Sequence, residues 1–136
     1  MIAPIQGEHP ADPRPLRVAA CAVFRPGGEL AGIAAEDFEY EARPQQVEMA
    51  RAVSDALESS RHLVVEAGTG VGKSLAYLVP LILHAKRSNA RAMVSTHTIS
   101  LQEQLVGKDL PLLQDRLGVS FRAALVKGRS NYLCLR

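Results

Sequence analysis

Three glycines, a lysine and a serine lie close together in this sequence, and their spacing is typical of a phosphate-binding loop. The stretch "AGTGVGKS", residues 67–74, fits the form of the phosphate-loop pattern that accepts alanine in place of the first glycine. Glycine permits backbone conformations that turn successive N–H groups onto phosphate oxygens. A lysine at this position reaches the β- and γ-phosphates, and the hydroxyl that follows it ligates magnesium. The pattern predicts a nucleotide-binding site.

The predicted site comprises every residue of this stretch, with Lys73 as its catalytic residue and Ser74 as its magnesium ligand. The nucleotide-binding residues are Ala67, Gly68, Thr69, Gly70, Val71, Gly72, Lys73 and Ser74. An ordinary glycine-rich turn with an incidental lysine is the alternative. A nucleotide site alone does not name a reaction, because kinases, GTPases and helicases all use such loops.

The flanking residues predict the strand and the helix that such a loop requires. "HLVVEA" before the loop predicts a buried strand, and "KSLAYLVPLILHAKRS" after it predicts a helix that is apolar nearly all round. The positive end of that helix then faces the bound phosphate. Pro80 lies within the helix, so we expect a kink or one loosened turn.

An earlier helix is predicted for "RPQQVEMARAVSDALESS", which begins near Pro44. Its apolar stripe recurs at four-residue spacing from Met49 to Leu57, and Gln46 and Ala50 lie on the adjoining stripe.

Further along the chain, strands and helices alternate. "RAMVST" and "SFRAALVKG" predict two more strands, and "HTISLQEQL" and "KDLPLLQDRLG" predict two more helices. This alternation predicts an α/β fold with a parallel sheet and flanking helices. The proline-rich start, from Met1 to about Leu16, predicts a flexible lead-in. "RVAACAVF" fits either a short strand or a buried connector.

Bulk properties restrict the class of protein. The chain has 136 residues, of which 47% are hydrophobic, and a formal charge of +2, so overall charge does not itself indicate nucleic acid. Residues 116–136 carry five basic side chains and no acid. The longest apolar run is shorter than the about 17–25 residues of a membrane-spanning helix. We therefore expect no membrane association. The two cysteines lie far apart, which does not suggest a disulfide framework and makes a reducing cytoplasm the expected location. We also expect a monomer.

Four stretches together resemble one family. "RPQQVEM", "VVEAGTGVGKSLAYLVP", "VSTHTISLQEQL" and "LVKGRSNYLCLR" resemble, in order, motifs of the DinG/XPD-like iron–sulfur DNA helicases of helicase superfamily two. The resemblance covers residues 27–136. It implies the N-terminal part of the first RecA-like ATP-binding domain, a P-loop NTPase fold, preceded by a flexible segment over residues 1–26. It also implies an ATP-dependent DNA helicase that moves 5′→3′ on single-stranded DNA, with a role in DNA repair.

The resemblance assigns roles to further residues. Gln46 matches the glutamine that reads adenine, because an amide offers both a donor and an acceptor to the base edge. From the residues alone, Gln46 fits a solvent-facing glutamine at a helix start. Thr96, Thr98 and Gln102 match a motif that contacts the backbone of single-stranded DNA. Thr96 and Thr98 also suit capping of the helix that follows, and each could do both.

Cysteine has one implied role in this family. Cys134 matches the first of four cysteines that hold a 4Fe–4S cluster. From composition alone, Cys134 fits a buried or free thiol. Cys21 has no counterpart in the family pattern and is interpreted as structural.

Several parts of a complete helicase are missing from this sequence. No acidic Walker-B motif follows the loop, and neither a second RecA-like domain nor three further cluster cysteines occur. We therefore expect an N-terminal fragment that carries part of the site for ATP and Mg²⁺. In isolation it should neither hydrolyse ATP at a helicase-like rate nor assemble a cluster. A compact P-loop kinase or small NTPase, and a non-catalytic nucleic-acid-binding module using residues 116–136, are the alternatives.

Overall fold

Helices make up most of the regular structure. The computed structural model describes residues 1–4, 12–30, 34–35, 38–39, 43–128 and 131–132. The strands are β1 (Ile2–Pro4), β2 (Ala34–Ala35), β3 (Phe38–Glu39) and β4 (Phe121–Ala123). The helices are α1 (Leu16–Val23), α2 (Pro44–Glu58), α3 (Lys73–Ser88), α4 (Ile99–Gln104) and α5 (Leu110–Arg116), with a π-helical turn at Leu105–Asp109 between the last two. None of the helices in these ranges is long and apolar enough to cross a membrane.

Helix α2 begins where the sequence predicts, with Pro44 in its first turn and Arg43 as an extended N-cap. Its most deeply buried stripe is Gln46, Ala50 and Ser54. The stripe of larger apolar residues beside it is only partly buried. Small side chains on the buried stripe leave room for α1 and α3, both of which contact α2. The core-facing side is therefore rotated by about one residue from the predicted apolar stripe.

Helix α3 confirms the helix predicted after the loop. Its buried side chains include Leu75, Leu78, Val79 and Ile82, so it forms the centre of the hydrophobic core. Pro80 lies inside the helix, fully buried, and the helix continues past it to Ser88. Buried apolar contacts on both sides of the proline compensate for the backbone hydrogen bond that the proline cannot donate.

Helix α1 lies in the stretch for which the sequence suggested a strand or a buried connector. The strand alternative is wrong. Leu16, Ala19, Ala20 and Val23 are buried together, at the spacing that places residues on one face of a helix. The backbone N–H of Leu16 donates to the Glu58 carboxylate at 2.7 Å, which joins the start of α1 to the end of α2. Two parts of the range 1–26, β1 and α1, thus have regular structure.

The predicted parallel sheet is not present in the described residues. Both two-stranded pairings are antiparallel: β1 with β4, where Ile2 faces Ala123, and β2 with β3. Ile2 also exchanges two backbone hydrogen bonds with Ala92, at 2.8 and 2.9 Å. Strand β1 therefore lies between Ala92 and β4. It hydrogen-bonds to the backbone at both places, so those backbone groups do not pair with a parallel strand.

The extended stretch before the loop has no strand partner among the described residues. Val64 there is 96% exposed, and Leu63 and Val65 are also exposed. Met93 and Val126, in the other stretches predicted as strands, are likewise exposed. The helices bury their apolar residues against one another, and Phe121 of β4 joins that core, while Leu63, Val64, Val65, Met93 and Val126 remain at the surface.

Candidate nucleotide-binding site

The loop between the extended stretch and α3 depends on glycine at two positions. Gly70 and Gly72 both have a φ of 79°, in the left-handed region that other residues adopt only with strain. Gly72 also has no space for a side chain, because a Cβ there would lie 2.2 Å from Nε2 of Gln46. Gly72 is the N-cap of α3, and its carbonyl accepts the first helical hydrogen bond from Ala76.

The loop leads directly into the positive end of a long helix. Helix α3 has 16 residues, and its first turn, which includes Ser74, contains no acidic side chain. The first N–H groups of a helix have no partner within the helix and point along its axis. Together with the dipole of α3 they favour an anion at this point. The structure brings the eight predicted loop residues together around that point.

The Lys73 side chain folds back across the loop. Its Nζ donates to the carbonyl oxygens of Ala67 at 2.9 Å and of Gly68 at 2.6 Å. The ammonium is thus held within the turn by neutral acceptors. A phosphate oxygen carries more negative charge than a carbonyl, so it competes well for the same ammonium.

Two side chains from the start of α2 hold the loop. Gln46 is only 3% exposed, and its Nε2 donates to the Gly72 carbonyl at 3.0 Å. The guanidinium of Arg43 donates to the carbonyl of Gly70. The solvent-facing alternative for Gln46 is therefore wrong: its amide faces the loop backbone. Sequence reasoning missed Arg43, although its three-residue distance from Gln46 would place both on one side of a helix start.

A buried carboxyl group lies in the π-helical turn, which contacts α3. Asp109, the last residue of that turn, is 6% exposed, and its Oδ2 accepts from Nε2 of Gln104 at 3.2 Å. Burial raises the pKa of Asp109, and the hydrogen bond from Gln104 and the charge of Lys108 oppose that rise. Burial likewise raises the pKa of Tyr77.

Ser74 lies in the first turn of α3, and its hydroxyl oxygen suits magnesium, which prefers hydroxyl, carboxylate, phosphate and water oxygens. Ser74 is the residue that the loop pattern predicts as the ligand.

The residues predicted to contact DNA do not share one exposed surface. Thr98 is exposed and caps α4, since its Oγ1 accepts from the backbone N–H of Leu101 at 3.3 Å. Thr96 donates to the Thr98 carbonyl at 3.3 Å. Thr96 and Gln102 are partly buried and line a largely apolar cavity of about 410 Å³. Thr98 thus has the capping role that the sequence left open as an alternative.

The predicted ligand of the iron–sulfur cluster, Cys134, lies outside the described residues. Cys21 is buried, and burial raises the pKa of its thiol, which disfavours the reactive thiolate. Within the described part of the chain, no group of three or more His, Cys, Asp or Glu residues could hold a metal ion. An iron–sulfur cluster needs several thiolates, so these residues do not provide a site for one.

A glycine-rich loop that enters the positive end of a helix, with a lysine and a serine at that end, defines a P-loop nucleotide-binding domain. Residues 44–132 match the DEAD/DEAH box helicase family. This match covers more than half of the chain, and the chain belongs to that family. The family has a RecA-like α/β fold, which confirms that part of the predicted fold class. The predicted parallel sheet is absent from the described residues.

Curated relatives support the same assignment. The chain is 53% identical, over 79% of its length, to the ATP-dependent helicase DinG of Mycobacterium tuberculosis. It is 45% identical over 82% of its length to the ATP-dependent DNA helicase YoaA of Escherichia coli, and 44% identical over 71% to the 3′-5′ exonuclease DinG of Bacillus subtilis. It spans 17%, 16% and 10% of these relatives. No solved structure matches the chain.

Proposed function

We propose that this chain supplies the phosphate-binding part of an ATP-dependent DNA helicase of the DinG type. The observation that carries the proposal is the loop of residues 67–74, which places Lys73 and Ser74 at the positive end of α3. The names of the DinG and YoaA relatives support ATP as the nucleotide and DNA as the substrate. The enzyme would hydrolyse ATP and use the energy to move on single-stranded DNA.

Each residue of the site has a definite task in this proposal. The backbone N–H groups of the loop and of the first turn of α3 bind the phosphate oxygens. The Lys73 ammonium gives up its hydrogen bonds to the carbonyls of Ala67 and Gly68 and binds the β- and γ-phosphates instead. Arg43 and Gln46 hold the loop backbone in place by donating to two of its carbonyl groups. Magnesium, when bound beside Ser74, neutralises charge on the phosphate oxygens.

The finer properties of the helicase rest on the family resemblance. We propose 5′→3′ movement, a monomeric cytoplasmic protein, a role in DNA repair, and adenine recognition by Gln46. Thr96, Thr98 and Gln102 are proposed to contact single-stranded DNA, with Thr98 the most accessible of them. Cys134 is proposed to ligate a 4Fe–4S cluster together with cysteines that this sequence does not contain. Because no acidic Walker-B motif follows the loop in this sequence, the 136-residue chain should bind ATP without helicase-like turnover.

Binding of a fluorescent ATP analogue to the purified chain tests the proposal. Lys73→Ala should weaken binding roughly tenfold or more, because the substitution removes a charge-assisted contact to phosphate. Lys86→Ala is the matched control: it removes the same residue type about 20 Å away, at the other end of α3, and should leave binding unchanged.

Two outcomes would contradict the proposal. Equal binding by the wild type and Lys73→Ala would show that the loop is not the nucleotide site. Binding of nucleic acid with steep salt dependence, without any nucleotide binding, would favour a non-catalytic binding module instead.

A further inference from the structure

Two carbonyl groups of the phosphate loop accept hydrogen bonds from the start of α2. The guanidinium of Arg43, the N-cap of α2, donates to the Gly70 carbonyl. The amide Nε2 of Gln46, in the first turn of α2, donates to the Gly72 carbonyl at 3.0 Å. Gly70 and Gly72 share the left-handed φ of 79° and are separated by one residue. Left-handed residues in a tight turn are typical of the backbone nests that bind anions.

The direction of each carbonyl sets the direction of the amide that follows it. In a planar trans peptide group, the C=O of one residue and the N–H of the next residue point in opposite directions. The described residues contain no cis peptide bond. Because Arg43 holds the Gly70 carbonyl on the α2 side of the loop, the Val71 N–H points to the opposite side. The Gly72 carbonyl directs the Lys73 N–H in the same way.

The two amides differ in what holds them. Gly72 is the N-cap of α3, and its carbonyl also accepts from the Ala76 N–H at 3.2 Å, so the helix itself fixes the direction of the Lys73 N–H. The Gly70 carbonyl lies before the helix, where the Arg43 guanidinium is the donor that holds it. The direction of the Val71 N–H therefore depends on a side chain from another element.

We propose that Arg43 is a positioning residue of the nucleotide site, which aims the Val71 N–H at the bound phosphates by holding the Gly70 carbonyl on the α2 side of the loop. The inference rests on the proposed function, because it requires that the loop bind the phosphates of ATP. A cationic donor at the carbonyl oxygen also polarises the peptide group, which makes its N–H a stronger donor. Arg43 thus acts on the phosphates through the backbone.

Three other roles for Arg43 would have different consequences. Direct contact with the base would change the affinity for ATP but not for a phosphate ligand that has no base. Action as an exposed charge at a distance would weaken as salt is added. A purely structural role, which only joins α2 to the loop, would change the free energy of unfolding without a selective effect on the Val71 N–H.

Isothermal titration calorimetry in the presence of magnesium measures the Kd of the 136-residue chain for ATP and for inorganic tripolyphosphate, which has no base. Arg43→Met keeps the length of the side chain and removes its donors. It should weaken the binding of both ligands by the same factor, about fivefold to tenfold, as expected for the loss of one well-aimed donor to a charged group. That factor should be the same at low and at high salt.

A matched control separates the contact from the charge. Arg51→Met removes the same charge from an exposed position about 12 Å further along α2, and should leave both Kd values unchanged.

Amide NMR spectra of the isotope-labelled chain report the direction of the two N–H groups. In the wild type, tripolyphosphate should move the amide protons of Val71 and Lys73 downfield, because both donate to phosphate. In Arg43→Met the shift of Val71 should be largely lost, while the shift of Lys73 should persist because α3 holds that amide. A purely structural contact predicts no such difference between these two amides.

The outcomes separate this inference from the proposed function. If the wild type binds neither ligand, or Lys73→Ala binds ATP equally well, the proposed function fails and this inference with it. The positioning role alone is wrong if Lys73→Ala weakens binding but Arg43→Met leaves the tripolyphosphate Kd unchanged, acts only at low salt, matches Arg51→Met or keeps the Val71 shift. If circular dichroism shows that Arg43→Met is unfolded, the same measurements on Arg43→Ala decide, and an unchanged tripolyphosphate Kd overturns the inference.

Discussion

The two sides of the phosphate loop differ in whether their backbone groups are hydrogen-bonded and whether their apolar side chains are buried. On the helical side, α1, α2 and α3 form their backbone hydrogen bonds internally and bury a shared core. On the other side, residues 61–67 enter the loop without a strand partner among the described residues, and Val64 is almost fully exposed. The loop is held from the helical side, through Arg43 and Gln46. Its geometry therefore depends on the helices more than on the extended stretch that precedes it.

The largest expected effect tests this contrast with one residue type on each side. Val79→Asp places a charge without a partner in the centre of α3, where Val79 is fully buried, and should cost about 4 kcal/mol or more. Val64→Asp should change the free energy of unfolding by less than about 0.5 kcal/mol, because that side chain is in water. Urea unfolding followed by circular dichroism measures both. Similar losses in the two variants would show that residues 61–67 are packed in solution.

A smaller effect is expected within the loop. Gly72→Ala should cost about 1–3 kcal/mol and weaken nucleotide binding, because alanine is strained at this φ and its Cβ would meet Gln46. Gly68→Ala is the matched control for stability, since a Cβ there meets no atom within 4 Å. Urea unfolding measures the stability of both variants, and binding of the fluorescent ATP analogue measures the effect of Gly72→Ala on the site. If Gly68→Ala costs as much stability as Gly72→Ala, the loop is not held from the α2 side as described.

The smallest effect concerns the contact between α1 and α2. Glu58→Gln weakens the bond from the Leu16 N–H and removes a negative charge from the start of α1, so it should cost about 1 kcal/mol. Asp55→Asn is the control: its ion pair with Arg17 is exposed and 4.0 Å long, and should contribute less than about 0.5 kcal/mol. Urea unfolding compares the two variants. An equal cost would mean that the Leu16–Glu58 bond has no particular role in joining the helices.

Local patterns predicted the loop and the two helices beside it, because the spacing of glycines and of apolar residues determines those elements within a few turns. Helix α1 was missed although Leu16, Ala19, Ala20 and Val23 have helical spacing. Its eight residues are almost all apolar, and a short apolar run does not distinguish a strand from a helix.

Contacts between distant parts of the chain were not predictable in the same way. The parallel sheet was inferred from alternation alone, but pairing depends on which backbone edges meet, and here β1 lies between Ala92 and β4. The contacts of Gln46 and Arg43 with the loop carbonyls likewise join segments that are far apart in the sequence. The sequence thus named the loop residues and Gln46 as candidates, but it did not reveal Arg43 or the contact of Gln46 with the loop.

The close approach of Gln46 to Gly72 has a consequence for how this sequence can vary. The two residues belong to different elements, yet a Cβ at position 72 would occupy the place of the Gln46 amide. A homologue that loses the glycine would therefore need a shorter or redirected side chain at position 46. A homologue that changes the glutamine would leave space beside the loop and a loop carbonyl without its donor. The two positions should accordingly change together or not at all during evolution, although separate stretches of the gene encode them.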